Sequence, residues 1–185
     1  MSPLILALTL VAASVPAPGG APSFPHVRVQ NERVARILTS ALDRSPTLRR
    51  LVDTLDRSDV IVYVEVQPQL PRALPAGMIF VGAGAGMRYL RIVLNPVNTE
   101  LIMLSMLGHE LQHAVEVVSA PWVQSRETLA EHFSRIGTRS LNGTGYETEA
   151  ARRAGRVVTH EFLANGARPG RIARSRGTDI AMPTP

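Results

Sequence analysis

A long amphipathic helix is predicted from Glu100 to about Ser119, and its pattern dictates how the rest of this chain must pack. Thr99 is positioned as its N-cap, and Pro121 ends it. Aliphatic side chains recur along one face at three- and four-residue spacing, as in a helix that packs into a core. This stripe consists of Leu104, Leu107, Leu111, Val115 and Val118. The helix therefore has one side that anchors it in a core and another side that can face a cleft.

The face opposite the stripe carries two histidines, His109 and His113, in the sequence HELQH. At 3.6 residues per turn they lie one turn apart and about 40° apart around the helix axis. Two imidazoles placed in this way can bind one metal ion. Glu110, between them, is rotated to the flank, where it can reach a metal-bound water without being a ligand. Glu116 follows on the histidine side, where its carboxylate can accept a hydrogen bond from a ligand.

The ligands available to a metal are limited, because none of the 185 residues is cysteine. A transition metal must therefore be held by histidine, carboxylate and water. This ligand set suits Zn²⁺, although manganese or iron can also bind two histidines and a carboxylate. The length and the 45% of apolar residues are sufficient for one domain with a true core.

The rest of the chain is predicted to be α+β, with a small sheet before the histidine helix and further helices around it. The strand candidates are Val60–Val66, Met78–Gly82 and Tyr89–Leu94. The other predicted helices are Asn31–Leu42, Thr47–Leu55, Ser125–Ile136 and Tyr146–Asn165, with Ser45-Pro46 and Ser125 as start signals. The loop LNGTG, residues 141–145, precedes the last of these helices.

A glycine-rich stretch, GAGAG at residues 82–86, separates the second and third strand candidates. A phosphate-binding loop would need a following GK[ST] sequence and a helix, and neither is present. The stretch is therefore interpreted as a hairpin turn or a flexible rim.

The two ends of the chain differ in composition from the central part. An apolar run from Leu4 to Val15, followed by a Pro/Gly/Ala-rich border, is typical of a secretory signal peptide, although no Lys or Arg precedes the run. We interpret residues 1–21 as this signal, 22–167 as one domain and 168–185 as a basic tail with four arginines. The mature protein is then expected to be periplasmic or secreted, without a transmembrane helix. Aromatic residues make up only 4%, so nucleic-acid binding is not expected.

The segment GHELQHAVE, residues 108–116, resembles the active-site helix of the zincin metallopeptidases. In the gluzincin branch a later helix supplies a glutamate ligand, often as Glu-x-x-Ala, and Glu147 with Ala150 fits this pattern. The acid that often follows the alanine is absent, since residue 151 is Ala. The metzincin pattern is not met, because residue 119 is Ser rather than His.

This resemblance implies a zincin-like fold, in which a sheet precedes the active-site helix and an edge strand binds extended substrate. Tyr89–Leu94 occupies the place of that edge strand. The resemblance also implies hydrolysis of peptide or similar amide bonds in a peptide or protein substrate. Zn²⁺ would be held by His109, His113 and Glu147, with Glu110 as general base.

The third ligand is open to two glutamates, because Glu149 lies only two residues beyond Glu147. On one helix the two would point in nearly opposite directions, so only one could face the histidines. We predict Glu147, because the arginines around Glu149 suit an exposed face with ion pairs. For Tyr146, His132 and His160 we favour structural roles.

Two other functions are compatible with the sequence. The chain could be a catalytically inactive, metal-containing binding or sensing module of the cell envelope. It could also be an envelope-attached protein that acts through its arginine tail, with a merely structural metal. The oligomeric state is not indicated by the sequence.

Overall fold

The computed structural model describes residues 24–71, 73–140 and 145–166, and these form a mixed α/β structure, as predicted. The helices are α1 (Glu32–Leu42), α2 (Pro46–Asp56), α3 (Glu100–Val118), α4 (Arg126–Ile136) and α5 (Glu149–Gly166). The strands are β1 (Val27–Val29), β2 (Val60–Val66), β3 (Ala76–Gly84), β4 (Met87–Leu94), β5 (Thr138–Arg139) and β6 (Tyr146–Glu147). The predicted signal peptide, the arginine tail and most of the LNGTG loop lie outside the described residues. No helix in the described ranges is long and apolar enough to cross a membrane.

Side-chain caps fix the starts of the helices, at the positions that the sequence indicates. The side chain of Ser45 accepts a hydrogen bond from the amide of Leu48, and Pro46 follows in the first turn of α2. Thr99 caps α3 in the same way. Ser125 forms a capping box with Thr128 at the start of α4. Each cap satisfies an amide that has no partner within the helix, which is why these residues mark helix boundaries so reliably.

Four strands form one mixed sheet in the order β1-β2-β4-β3. β1, β2 and β4 run parallel to each other, and β3 runs antiparallel to β4 at the edge. The expectation that Tyr89–Leu94 forms the edge is therefore wrong. The glycine-rich stretch folds β3 back onto β4 through Ala85 and Gly86, both with positive φ (50° and 75°), so β3 covers that side. The prediction of a hairpin turn at this stretch is confirmed.

The histidine helix, α3, lies at the centre of the packing, in contact with β2, β3 and β4 and also with α1, α2 and α5. Leu104, Leu107 and Leu111 are buried as predicted. Towards the C-terminal end the prediction is wrong by one position. Val115 and Val118 are only partly buried, and Ala114 and Val117 are fully buried instead. A helix that is covered from several sides buries a wider face than a single stripe.

Glycines allow α3 and α5 to pack closely. A Cβ on Gly155 of α5 would lie 2.8 Å from the backbone oxygen of Ser105 in α3. A Cβ on Gly108 of α3 would lie 2.9 Å from the side chain of Val158 in α5. Ala150, the alanine of the Glu-x-x-Ala match, is exposed. The close contact between the two helices is made further along α5, at Gly155.

The last helix begins three residues later than predicted, at Glu149 rather than Tyr146. The hydroxyl of Thr148 accepts a hydrogen bond from the amide of Ala151 at 3.0 Å, which makes Thr148 the cap of α5. Tyr146 and Glu147 pair instead with β5 as a two-stranded sheet. Glu147 consequently projects from a strand, and the argument from helical rotation does not apply to it.

Candidate metal centre

Two elements far apart in the chain bring three candidate ligands together. His109 and His113 project from α3, and Glu147 projects from β6. Their ligand atoms all lie within 4.8 Å of one another, so this group could hold a metal ion, as predicted. The Nε2 atom of His109 is 3.0 Å from Oε2 of Glu147. The two imidazole centroids are 4.8 Å apart, and the rings are inclined at 77°.

The orientation of His113 is set by two neighbours. Its Nδ1 atom is 2.8 Å from Oε2 of Glu116, the hydrogen bond predicted from their spacing. Because the carboxylate accepts, Nδ1 carries a proton and Nε2 is left with a lone pair for a metal. The ring of Phe133 packs edge-on against the imidazole, with centroids 4.8 Å apart. The ring thus has one preferred tautomer and one preferred rotamer.

Thr148 extends this support to the third ligand. Its hydroxyl donates to Oε1 of Glu116 at 2.7 Å while accepting from the Ala151 amide. Glu116 therefore links His113 on α3 to the residue that follows Glu147 in the chain. Sequence reasoning missed Thr148, although a Thr directly before a helical run is itself a cap signal.

Glu110 lies beside the ligands and is 6% exposed, at the floor of a cleft. Burial raises the pKa of Glu110, because it disfavours the charged carboxylate, while the nearby His113 and His109 act in the opposite direction. In the described part of the chain its carboxylate forms no hydrogen bond. Glu110 thus lies on the flank of the histidine pair and lines the cleft, without being one of the three candidate ligands.

The electrostatics of His109 and Glu147 reflect their mutual contact. Burial lowers the pKa of His109, but the hydrogen bond to Glu147 and the charge of Glu110 outweigh it, so the pKa is raised. The pKa of Glu147 is lowered, first by its hydrogen bond with His109. Both pKa shifts arise because the protonated imidazole of His109 and the ionised carboxylate of Glu147 attract each other.

The donor set fits a divalent transition metal. Two imidazole nitrogens and one carboxylate oxygen form a common three-ligand set for catalytic zinc. Ligands held at 2.0–2.1 Å from a tetrahedral ion lie about 3.3 Å apart, close to the 3.0 Å between His109 and Glu147. Other divalent transition metals accept the same donors.

The candidate ligands open into a cleft of about 980 Å³. The first part of β3, Ala76–Ile79, forms one wall, and α3 forms the floor with Met106 and the histidines. Leu129 and Phe133 of α4 and the half-buried Tyr146 of β6 complete the lining around the ligands. The involvement of β3 was not predicted, since strand order cannot be read from periodicity.

The other candidates lie outside the ligand cluster. Glu149 is exposed and forms an ion pair with Arg156 at 2.8 Å, as expected for the glutamate that is not a ligand. His132 is buried between Trp122 and Phe133 in edge-to-face ring contacts, which supports a structural role. His160 is exposed on α5, outside the group.

Comparison with known proteins gives no relative for this chain: no family model, no curated protein and no solved structure matches it. Its class therefore rests on the fold and the site alone. They define a mixed α/β protein with a candidate His-His-Glu metal centre at the floor of a cleft.

Proposed function

We propose that the protein is a zinc-dependent hydrolase of peptide bonds. The observation that carries this proposal is the position of Glu110, a buried carboxylate without a hydrogen-bond partner in the described residues, beside three potential metal ligands in an open cleft. A purely structural metal site would not need a free carboxylate at this place. The sequence resemblance of residues 108–116 to zincin metallopeptidases agrees with this assignment.

The edge strand favours a peptide over a small amide as the substrate. One edge of β3 pairs with β4, and no strand of the described chain pairs with the other edge. Residues Ala76–Ile79 of this strand line the cleft. Unpaired amides and carbonyls along an edge can bind an extended peptide as an additional strand. A peptide bound there lies along the cleft that holds His109 and His113.

Metal binding and proton transfer are assigned to different residues of the site. His109, His113 and Glu147 would hold zinc, which supplies Lewis acidity that activates water and polarises a carbonyl group. Glu110 accepts the proton of the attacking water and then donates it to the leaving amine. Its burial suits both steps, because a raised pKa makes the carboxylate a better base and the carboxylic acid a usable donor. The hydrogen bond to Glu116 keeps the proton of His113 on Nδ1 during both steps.

The test is the substitution Glu110→Gln, which keeps the size of the side chain and removes its basicity. The purified protein is loaded with zinc, its metal content is measured, and cleavage of a mixed peptide library is followed by mass spectrometry. We expect unchanged zinc content and a fall in cleavage rate of at least about 100-fold. Glu149→Gln, at an exposed glutamate, is the matched control and should cleave like the parent protein. Absence of cleavage by the zinc-loaded parent, or full activity of Glu110→Gln, would contradict the proposal.

A further inference from the structure

We propose that the cleft selects peptides that carry a carboxylate, and that the guanidinium of Arg126 binds it. This inference rests on the proposed peptide-hydrolysing function and names its substrate class. Arg126 contacts the edge strand β3, and arginines outnumber carboxylates in the described lining of the cleft.

Arg126 lies at the end of the part of β3 whose edge is open to a peptide. Its Nε atom donates to the backbone oxygen of Phe80 at 3.2 Å, across from α4 to β3. The ladder between β3 and β4 is irregular at the same point, between Phe80 and Gly82. A peptide paired along Ala76–Ile79 therefore meets this side chain where the pairing ends. The two terminal NH₂ groups of Arg126 form no hydrogen bond within the described ranges, and they are spaced to bind both oxygens of a carboxylate.

The charge of the cleft favours an anionic ligand. Four of the described lining residues are arginines: Arg126, Arg139, Arg152 and Arg156. The only carboxylates among the described lining residues are Glu110 and Glu147, and both belong to the candidate metal centre. A bound divalent metal would make the cleft still more positive. A carboxylate on the substrate is therefore attracted, and a lysine-rich peptide is repelled.

Arg126 and Arg139 differ from several arginines elsewhere on the surface. Arginines outside the cleft lie within 4 Å of a carboxylate in the pairs Arg33–Glu100, Arg36–Glu32, Arg57–Asp53 and Arg91–Glu65. Arg152 and Arg156, at the cleft, are paired with Glu149. In the described part of the chain, neither Arg126 nor Arg139 has such a partner. Other described arginines without such a partner, among them Arg28 and Arg153, do not line the cleft, whereas Arg126 and Arg139 do.

The experiment measures binding in the full chain with Glu110→Gln and zinc, so that turnover is not needed. Three fluorescently labelled peptides of otherwise equal sequence are compared by anisotropy. The first has an internal Glu and an amidated C-terminus, the second has Gln and the amide, and the third has Gln and a free C-terminal carboxylate. We expect the first or the third to bind about tenfold more tightly than the second. Tighter binding of the first peptide would identify the carboxylate as a side chain, and tighter binding of the third would identify it as a chain terminus.

Substitutions assign the preference to one side chain. Arg126→Gln should abolish the tenfold preference and leave binding of the second peptide unchanged, while Arg126→Lys should retain part of the preference. Arg153→Gln is the matched control, since Arg153 is an exposed arginine of α5 that does not line this cleft. Circular dichroism confirms that each variant is folded.

Three results would overturn the inference: equal binding of all three peptides, loss of the preference in Arg153→Gln to the same extent, or tighter binding of an oligonucleotide of equal charge. These outcomes are separate from the proposed hydrolysis. A zinc-loaded parent protein that cleaves peptides without preferring carboxylates would leave the proposed function intact. A carboxylate preference in binding, without any cleavage by the parent protein, would support the inference about Arg126 and contradict the proposed function.

Discussion

Glu147 and Glu149 are two residues apart in the chain, yet the structure places them in opposite environments. Glu147 contacts His109 in the candidate metal centre, whereas Glu149 is exposed beside Arg156. Loss of a residue that only hydrogen-bonds a ligand weakens metal binding roughly 10–100-fold. We expect Glu147→Ala to weaken zinc binding by more than this, because it removes a candidate ligand itself. Glu149→Ala should change the affinity by less than about twofold. Competition with a chromophoric chelator measures both. Zinc loss only in the Glu149 variant would show that the ligand is assigned to the wrong residue.

Thr148 contributes to the site without being a ligand, through its hydroxyl. Thr148→Val keeps the shape of the side chain and removes both the bond to Glu116 and the cap of α5. We expect zinc affinity to fall about 10-fold or more and the free energy of unfolding to fall by about 1–2 kcal/mol. Thr148→Ser, which retains the hydroxyl, should restore both quantities. If serine rescued the stability but not the zinc affinity, the hydroxyl would be only a helix cap.

At the scale of elements, the crossing of α3 and α5 positions the histidines relative to Glu147. Gly155→Ala would bring a methyl group within 2.8 Å of the Ser105 backbone oxygen and 3.5 Å of the Cβ of His109. Backbone cannot move aside as a side chain does, so α5 must shift. We expect a loss of about 1–3 kcal/mol in unfolding free energy, despite the higher helix propensity of alanine, together with weaker zinc binding. Gly82→Ala, with nothing within 4 Å, is the control and should have little effect on either. A Gly155→Ala variant as stable as the parent would refute this account of the crossing.

Across the whole molecule, a buried arginine joins the sheet to the end of the histidine helix. Arg88 of β4 forms two hydrogen bonds with Asp59, at 2.8 and 2.7 Å, and donates to the backbone oxygens of Val117 and Ala120. The cation thus satisfies carbonyls at the C-terminal end of α3, where the helix dipole also favours it. We expect Asp59→Asn to lower the unfolding free energy at pH 7 by about 1–2 kcal/mol, since Asp59 is partly exposed.

The effect of Asp59 should depend on pH in a defined direction. The hydrogen bond from Arg88 is the main reason why the pKa of Asp59 is lowered from its ordinary 3.8. A group whose pKa is lower in the folded state stabilises the fold above its unfolded pKa and loses that effect as the pH falls through the folded pKa. The difference between the parent and Asp59→Asn should therefore be full at pH 7 and shrink below about pH 3.8, as measured by urea unfolding. Asp53→Asn, in an exposed pair with Arg57, should show little difference at any pH. A pH-independent gap for Asp59→Asn would contradict the assignment.

Local sequence signals were sufficient for the starts of α2, α3 and α4 and for two of the three candidate ligands, but not for the start of α5. Ser45, Thr99 and Ser125 mark helix starts because a cap acts within three residues of itself. The spacing of His109 and His113 determines their common face for the same reason, since a helix relates residues only one turn apart. The α+β class followed from such short patterns.

Only the tertiary structure decided which strand lies at the edge and how Glu147 reaches the histidines. The edge that lines the cleft belongs to β3, because the hairpin at Ala85 and Gly86 places β3 outside β4, and strand order depends on long-range pairing. Glu147 lies on a strand because β6 pairs with β5 across the intervening loop, which overrides the helical pattern of the residues that follow. The close approach of α5 likewise depends on Gly155 meeting Ser105, a contact between residues 50 positions apart that no local pattern encodes.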